Sequence, residues 1–321
     1  MNLSDSRSGL ILIDKKPGIT SMNVDSYVKK LLGTKKVGHH GTLDPFATGL
    51  LPVYTGKALR FVRYADDFDK SYRCVAVFGK STDSMDRDGE VTGGRMPTAD
   101  ELEKLEAEDY KSIRELFEQE ALITEQMPPK FSAKKINGRK AYELARKGDE
   151  VELKPHKVKI FSITINEIRR REDTFEADFT VECSKGTYIR TICDDIGKMS
   201  GFGAYADSLR RMSCGPFRVE DAYSEEELKT MADSGDWSFM ADPEITLDYM
   251  PKIMLSDSEY KDVRLGRKIP ADSHMNELLE NDSGTTKYRA LYEGRVTAVM
   301  YTAIENGRKL LRIERMLATD D

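Results

Sequence analysis

The stretch Val37-Gly38-His39-His40-Gly41-Thr42-Leu43-Asp44-Pro45-Phe46-Ala47-Thr48-Gly49 carries the residues best suited to chemistry. Three of its thirteen positions are glycine, so the backbone can turn sharply and approach a ligand closely. Two of the chain's four histidines stand side by side in it, and its single acid, Asp44, precedes a proline. A stiff loop presenting one carboxylate between imidazoles suits acid–base or charge-stabilising work. Asp-Pro is also an ordinary turn opener and helix start, because Asp bonds its own backbone and Pro presets φ. Taken alone the loop reads first as a turn, and the rest of the chain has to decide.

Two further stretches bear on it. Met127 to Arg139 opens with two prolines and then interleaves basic residues with Phe131, the composition of a loop that meets a phosphate backbone beside a stacking group. Arg190 falls near the start of an expected helix, where the dipole disfavours a cation, so it invites a partner acid or simple exposure. Cys74, Cys183, Cys193 and Cys214 show no C-x-x-C spacing and no neighbouring histidine. Reduced core thiols, not zinc ligands, are therefore expected.

The bulk figures set the class. The chain has 321 residues, 39% hydrophobic and 33% charged, which fits a globular protein large enough for two domains. The apolar run Leu10-Ile11-Leu12-Ile13 is too short to span a bilayer and lacks a signal peptide's shape, so a cytoplasmic protein is expected. Net charge is -6, yet the signs are segregated. Arg7 to Arg63 holds ten Lys/Arg against three Asp/Glu, and Lys130 to Lys159 holds ten against four. Two basic blocks in an acidic chain suggest a local polyanion footprint.

Elements follow from periodicity and punctuation. Strands are expected at Gly9–Asp14, Leu50–Tyr54 and Lys70–Phe78, and within 151–169 and 174–183, where Phe175, Ala177, Phe179 and Val181 alternate. Helices are expected from Ser21, as its cap, to Gly33, and behind the boxes Thr98-x-x-Glu101, Ser112-x-x-Glu115 and Ser224-x-x-Glu227. Further helices are expected over 141–147, from Thr187 to Met199, over 201–212 and over 255–266. Lys57 to Tyr64 reads as a short basic helix, and Ser81 to Gly94 as a loop or hairpin tip. Three strands, Tyr288–Tyr292, Arg295–Ile304 and Lys309–Met316, joined by turns at Glu293-Gly294 and Asn306-Gly307, close the chain as a small β-rich module.

Several blocks taken together resemble one family, the bacterial TruB-type tRNA pseudouridine synthases. They are Asp14 to Ser21, Val37 to Gly49, Lys70-Ser71-Tyr72, Pro128 to Lys134, Gly138 with Tyr142 and Ala145-Arg146, Gly186 to Arg190, and Leu209-Arg210-Arg211 with Gly215-Pro216-Phe217. They occur in the family's order and span most of residues 9–217. The resemblance implies an α+β fold: a catalytic domain over 1–249 with a mixed, mainly antiparallel central sheet flanked by helices, an RNA-clamping loop at about 124–148, and a PUA-like RNA-binding domain over 250–321. It implies isomerisation of a uridine in the T-loop of tRNA to pseudouridine, with no cofactor or metal, by a monomer needing no guide RNA, protein partner or membrane.

By the same resemblance Asp44 is the essential aspartate, Arg190 its partner and Tyr72 the aromatic that stacks on the flipped base, its hydroxyl a candidate for moving the C5 proton. Tyr188 is a second active-site aromatic, Leu209 and Ile189 are apolar walls, and His39 lies against the displaced RNA loop. Lys15, Lys130, Lys134 and Arg139 are expected RNA contacts. The sequence departs from the family at His40, where a small polar residue is usual, at Tyr205, where a histidine is usual, and at Asn23 and Asp25. A tRNA-binding folding chaperone without catalysis is the alternative, and the joint presence of Asp44, Tyr72 and Arg190 argues against it.

Overall fold

The computed structural model describes residues 8–129, 135–136, 139–140, 153–278 and 285–317. The helix expected over 141–147 lies outside them. The strand β1 (Gly9–Lys15) is buried along almost its whole length, because its alternate side chains enter two different cores. Leu10 and Leu12 join one, with Tyr54, Phe61 and Phe217; Ile11 and Ile13 join the other, with Val24, Val28 and Leu32 of α1 (Ser21–Leu32). β3 (Thr48–Thr55) divides in the same way, Leu50 and Tyr54 against Leu51 and Val53. This is why neither strand shows a polar face.

The α+β architecture centres on an eight-stranded sheet. Its main path is β1, β3, β9 (Ala204–Cys214), β4 (Lys70–Phe78), β8 (Thr174–Cys183) and β7 (Ile160–Arg171), with β2 (Val37–His39) beside β3 and Phe217–Arg218 beside β9. Pairing is antiparallel except between β3 and β9, where Thr48 and Gly49 run parallel to Arg210 and Arg211, and the short strands β5 (Ser81–Thr82) and β6 (Val91–Gly93) pair as a separate hairpin. The largest core takes alternate residues of β4 (Tyr72, Cys74, Ala76, Phe78) and β8 (Phe175, Ala177, Phe179, Val181). They pack against Ile189, Ile192, Cys193 and Ile196 of α4 (Ile189–Ser200). Two helices, α2 (Ala99–Ala107) and α3 (Lys111–Glu120), cover the same face.

Three local expectations are corrected. Residues 204–214 form a central strand, not a helix. Register shifts at Ala206/Ser208 and Arg211/Ser213 leave Ala204, Ala206, Leu209, Arg211 and Cys214 buried, a 2-3-2-3 spacing that breaks the strict alternation by which a strand is recognised. Thr20, not Ser21, caps α1, in a reciprocal pair with Asn23. Ser112 caps nothing: α3 starts from Tyr110 in the left-handed region without a side-chain cap. The boxes at Thr98 and Ser224 form as expected, the latter opening α5 (Glu225–Asp233).

A second, five-stranded sheet follows, in the order β10 (Lys252–Met254), β12 (Lys287–Tyr292), β13 (Arg295–Glu305), β14 (Arg308–Met316) and β11 (Ile269–Pro270). Helix α6 (Asp257–Arg264) packs on it through Val263. The core of this sheet is built on Ile253, Tyr288, Ala290, Met300 and Leu311, while Val296, Val299 and Leu317 pack with Tyr54 and Leu247 instead. Among the described residues no helix is long and apolar enough to cross a membrane.

Candidate active site

The Asp44 loop is fastened at nearly every residue. The Ser21 hydroxyl, freed from capping duty, accepts from the Leu43 N–H at 2.9 Å and donates to its carbonyl at 3.2 Å. Pro45 O accepts from Gly18 N at 2.8 Å and from Lys15 Nζ at 3.1 Å. Lys15 Nζ also donates to Ile19 O and Lys16 O, and the residue is 1% exposed. Its ammonium is taken up by three carbonyls that shape the loop and is turned away from solvent. Burial pulls its pKa down to about 8, with Asp44 acting in the opposite sense.

Two glycines let Arg211 reach the loop. Gly49 has φ +96°, and a Cβ there would lie 2.4 Å from the Arg211 carbonyl oxygen. Gly41 has φ +70°, and a Cβ would lie 2.9 Å from Arg211 Nη1. Arg211, itself 1% exposed, donates Nη2 to Gly41 O at 2.9 Å and Nε to Leu50 O at 2.7 Å.

The carboxylate so positioned meets a guanidinium from 146 residues downstream. Arg190 donates Nη2 to Asp44 Oδ1 at 3.1 Å and lies with Nε 2.9 Å from Oδ2, a two-pronged pair. The Arg190 side chain is 4% exposed and that of Asp44 36% exposed, so the cation is sealed and the anion faces the cavity. The cation sits in the first turn of α4, where the dipole opposes it, and it needs more than one acceptor. Nη1 supplies the rest, donating to Ser84 O at 2.7 Å and Asp86 Oδ2 at 3.2 Å.

Asp86 escaped the sequence reading because 81–94 looked like a generic tip. The tip is instead docked on β9: Arg87 N donates to Ala206 O, and Ala206 N to Met85 O. Asp86 is buried and also accepts from the Ser84 hydroxyl at 2.6 Å and the Asp88 N–H at 3.1 Å. Burial pushes its carboxyl up, while Ser84, Arg190 and Asp88 pull it down. The only hint in the sequence was that Arg190 lacked an acid.

Around the pair lies a cavity of about 260 Å³. Tyr72, Tyr188, Ile189, Leu209, Lys70, Arg211 and His40 line it together with Asp44 and Arg190. Tyr72 is buried on β4, and burial pushes its phenol up to about 12 while Arg211 pulls the other way. It therefore keeps its proton at neutral pH and serves as a stacking face and hydrogen-bond donor. Tyr188, the residue before α4, is held by Gln126, whose side-chain amide accepts from Tyr188 N at 2.8 Å and donates to Tyr188 O at 3.1 Å. His156 adds an edge contact to the Tyr188 ring.

His39 is not among the lining residues. Its Nδ1 lies 3.0 Å from Asp25 Oδ2 and its Nε2 3.3 Å from the Thr42 hydroxyl, so both ring nitrogens serve the loop from behind. His40 lines the cavity instead, and burial, Lys70 and Arg211 lower its pKa to about 3. Lys130 and Lys134 lie outside the described residues. Of Arg139 only the backbone is described, paired as part of Arg139–Lys140 with Lys135–Ile136. A larger cleft of about 500 Å³, lined by Lys57, Phe61, Tyr260 and Arg264, shares no residue with the Asp44 cavity.

Comparison with known proteins covers most of the chain. Residues 29–189 match the N-terminal domain of the TruB family of pseudouridylate synthases, and residues 190–248 match the tRNA pseudouridylate synthase B C-terminal domain. The tRNA pseudouridine synthase B of Geobacter sulfurreducens is 36% identical over 95% of this chain and 99% of its own length. That of Aquifex aeolicus is 40% identical over 81% of this chain and 86% of its own length. Among solved structures, an archaeal box H/ACA Nop10–Cbf5 complex superposes with a TM-score of 0.66 at 22% identity, over 97% of this chain and 86% of that one. That likeness speaks to the fold.

Proposed function

The chain belongs to the TruB family of pseudouridylate synthases, and from that premise we propose how its cavity works and where on tRNA it acts. The enzyme isomerises uridine to pseudouridine in tRNA. The N1–C1′ bond breaks, the base turns, and C5 joins C1′. Nothing leaves and no electrons are gained or lost, so the reaction calls for no redox cofactor.

Asp44 is the group that meets C1′ or the base, as nucleophile or as the charge opposing a developing cation. Arg190 fixes that carboxylate in direction through its two-pronged pairing. The carrying observation is that a sealed guanidinium, anchored from behind by Asp86 and Ser84, grips Asp44 inside a cavity walled by Tyr72 and Leu209. Extruding a nucleotide costs a few kcal/mol, and stacking on Tyr72 offsets about 1–3 kcal/mol of that. A protein that only binds RNA gains nothing from a pocket carboxylate that repels phosphate.

The substrate uridine is in the T-loop, the segment 124–148 clamps the T-arm, and 250–321 forms a PUA-like RNA-binding domain. The enzyme works as a cytoplasmic monomer without a guide RNA. The resemblance of the motif blocks and the basic composition of Lys130 to Lys159 support these finer points. The test is tritium release from C5-labelled uridine in a T-arm hairpin, with a second tRNA arm as comparison. Asp44→Asn abolishes release while RNA still binds. Normal release by the variant ends the catalytic assignment, and equal release from both arms ends the T-loop assignment.

A further inference from the structure

The cavity holds more positive charge than the Asp44 pair uses. Lys70 and Arg211 both line it, and they converge on Gly41: a Cβ there would lie 2.9 Å from Arg211 Nη1 and 3.7 Å from Lys70 Cε. Neither has a carboxylate within ion-pair distance among the described residues. Lys70 Nζ donates to Phe68 O at 2.6 Å, and Arg211 donates Nε and Nη2 to the carbonyls of Leu50 and Gly41, with Tyr72 as its further side-chain hydrogen-bond partner. An ammonium has three N–H donors, so two of those on Lys70 have no acceptor among the described residues. His40, next to both, is held neutral and cannot compensate them. Two adjacent, half-buried or buried cations without a counter-ion are costly in a folded chain unless an anion arrives.

We propose that this cationic wall holds the negative charge that the uracil carries once it is detached: Lys70 is a catalytic residue that hydrogen-bonds the base, and Arg211 is a positioning residue that acts through the Tyr72 hydroxyl. The inference rests on the reading of the cavity given above. When N1–C1′ breaks, its electron pair stays on the base, shared among N1, O2 and O4. When C5 bonds to C1′, that negative charge is consumed in the new bond. The C5 proton then departs and N1 takes one up, so the composition is unchanged. Donors preorganised on the base oxygens favour the charged form over the starting nucleoside, which is where a rate is gained. Burial and Arg211 lower the pKa of Lys70 in the empty cavity, and an anion alongside reverses that shift. A nucleotide phosphate is the other source of an anion, and the test separates the two.

The experiment compares RNA affinity and the single-turnover rate at which the N1-linked nucleoside disappears, on T-arm hairpins bearing uridine or 5-fluorouridine; the fluorine withdraws charge and stabilises the detached base by itself, and N1–C1′ cleavage is the step both bases share because 5-fluorouridine has no C5 proton to lose. Wild type, Lys70→Met, Arg211→Lys and Asp44→Asn are measured, with thermal unfolding of each. Loss of one such donor costs about 10²-fold in rate. Lys70→Met is expected to lose that on uridine, at least tenfold less on 5-fluorouridine, with RNA affinity unchanged; Arg211→Lys follows the same pattern. Equal loss on both bases overturns the inference, as does weakened RNA affinity with an unchanged rate, which marks a phosphate contact. Asp44→Asn separates the two levels of the argument. If it stays active, the reading of the cavity fails; if it is dead while Lys70→Met shows no dependence on the base, only this inference fails.

Discussion

Replacing Arg190 by lysine keeps the charge and removes the fork. Arg190 donates from Nε and Nη2 to the two oxygens of Asp44 and from Nη1 to Ser84 O and Asp86 Oδ2. A lysine reaching the same place is a point charge with tetrahedral donors, and it cannot serve both carboxylates in these directions. About two of the four contacts are lost, each a hydrogen bond to or from a charged group at roughly 1.5–3 kcal/mol. The Asp44 side is more than a third exposed and rehydrates, so its share is discounted. The Asp86 and Ser84 side is sealed and keeps its full weight. The expected net loss is about 2–4 kcal/mol, which is a fall in Tm of roughly 3–6 °C for a chain of this size. Catalysis falls further than stability, because a carboxylate displaced by about 1 Å loses on the order of 10²-fold in rate. The assay is single-turnover tritium release at saturating enzyme, beside thermal unfolding. A variant as fast as the wild type refutes the positioning argument. A variant that loses Tm without losing rate shows that Arg190 serves the fold alone.

Glu120, 3% exposed at the end of α3 with one carboxylate oxygen unpartnered among the described residues, is pushed up to about 7 by burial and then by Asp195. Its folded pKa lies above the unfolded value of 4.5, so the unfolded state binds fewer protons between the two. Stability is therefore lost as pH rises from 4.5 to 7, by at most about 3 kcal/mol. Glu120→Gln is expected to match the wild type near pH 4.5 and exceed it at pH 8 in urea unfolding, and parallel pH profiles refute this. Lys15→Met is expected to lower Tm and slow turnover while the salt dependence of RNA binding stays as in wild type, since its ammonium faces carbonyls. Neutralising Lys134, Lys135 and Arg139 together is expected to weaken RNA binding and flatten the salt slope by about 2–3, at roughly 0.7–0.9 per phosphate contact. Gly41→Ala is expected to lose most activity, because it combines a strained φ with a clash on Arg211; full activity shows that the loop can shift.

Local order was legible wherever one rule governed a segment. The alternation of Phe175, Ala177, Phe179 and Val181 marked β8, and Glu293-Gly294 and Asn306-Gly307 marked the last two hairpins, because a half-buried strand and a tight turn each leave a short-range trace. β9 defeated the same rule, since its two register shifts are set by the neighbouring strand β4 and by the docked 81–94 tip. Ser21 and Thr20 exchanged roles for a similar reason: the loop at Leu43 claimed the Ser21 hydroxyl, and nothing within α1 announces that.

The sequence by itself determined that Asp44 sits on a glycine-punctuated loop, that Arg190 stands near a helix start where a cation invites either a partner acid or exposure, and that the basic residues are segregated. Only the tertiary structure decided which charges are spent and which remain available. It buried Lys15 under three carbonyls, supplied Asp86 as the second anchor of Arg190, turned His39 to the back of the loop, and left Lys70 and Arg211 beside Tyr72 without a counter-ion among the described residues. The physical reason is that the worth of a charge depends on its burial and its neighbours. Those are fixed by contacts across the sheet between residues a hundred or more positions apart, which no local pattern encodes.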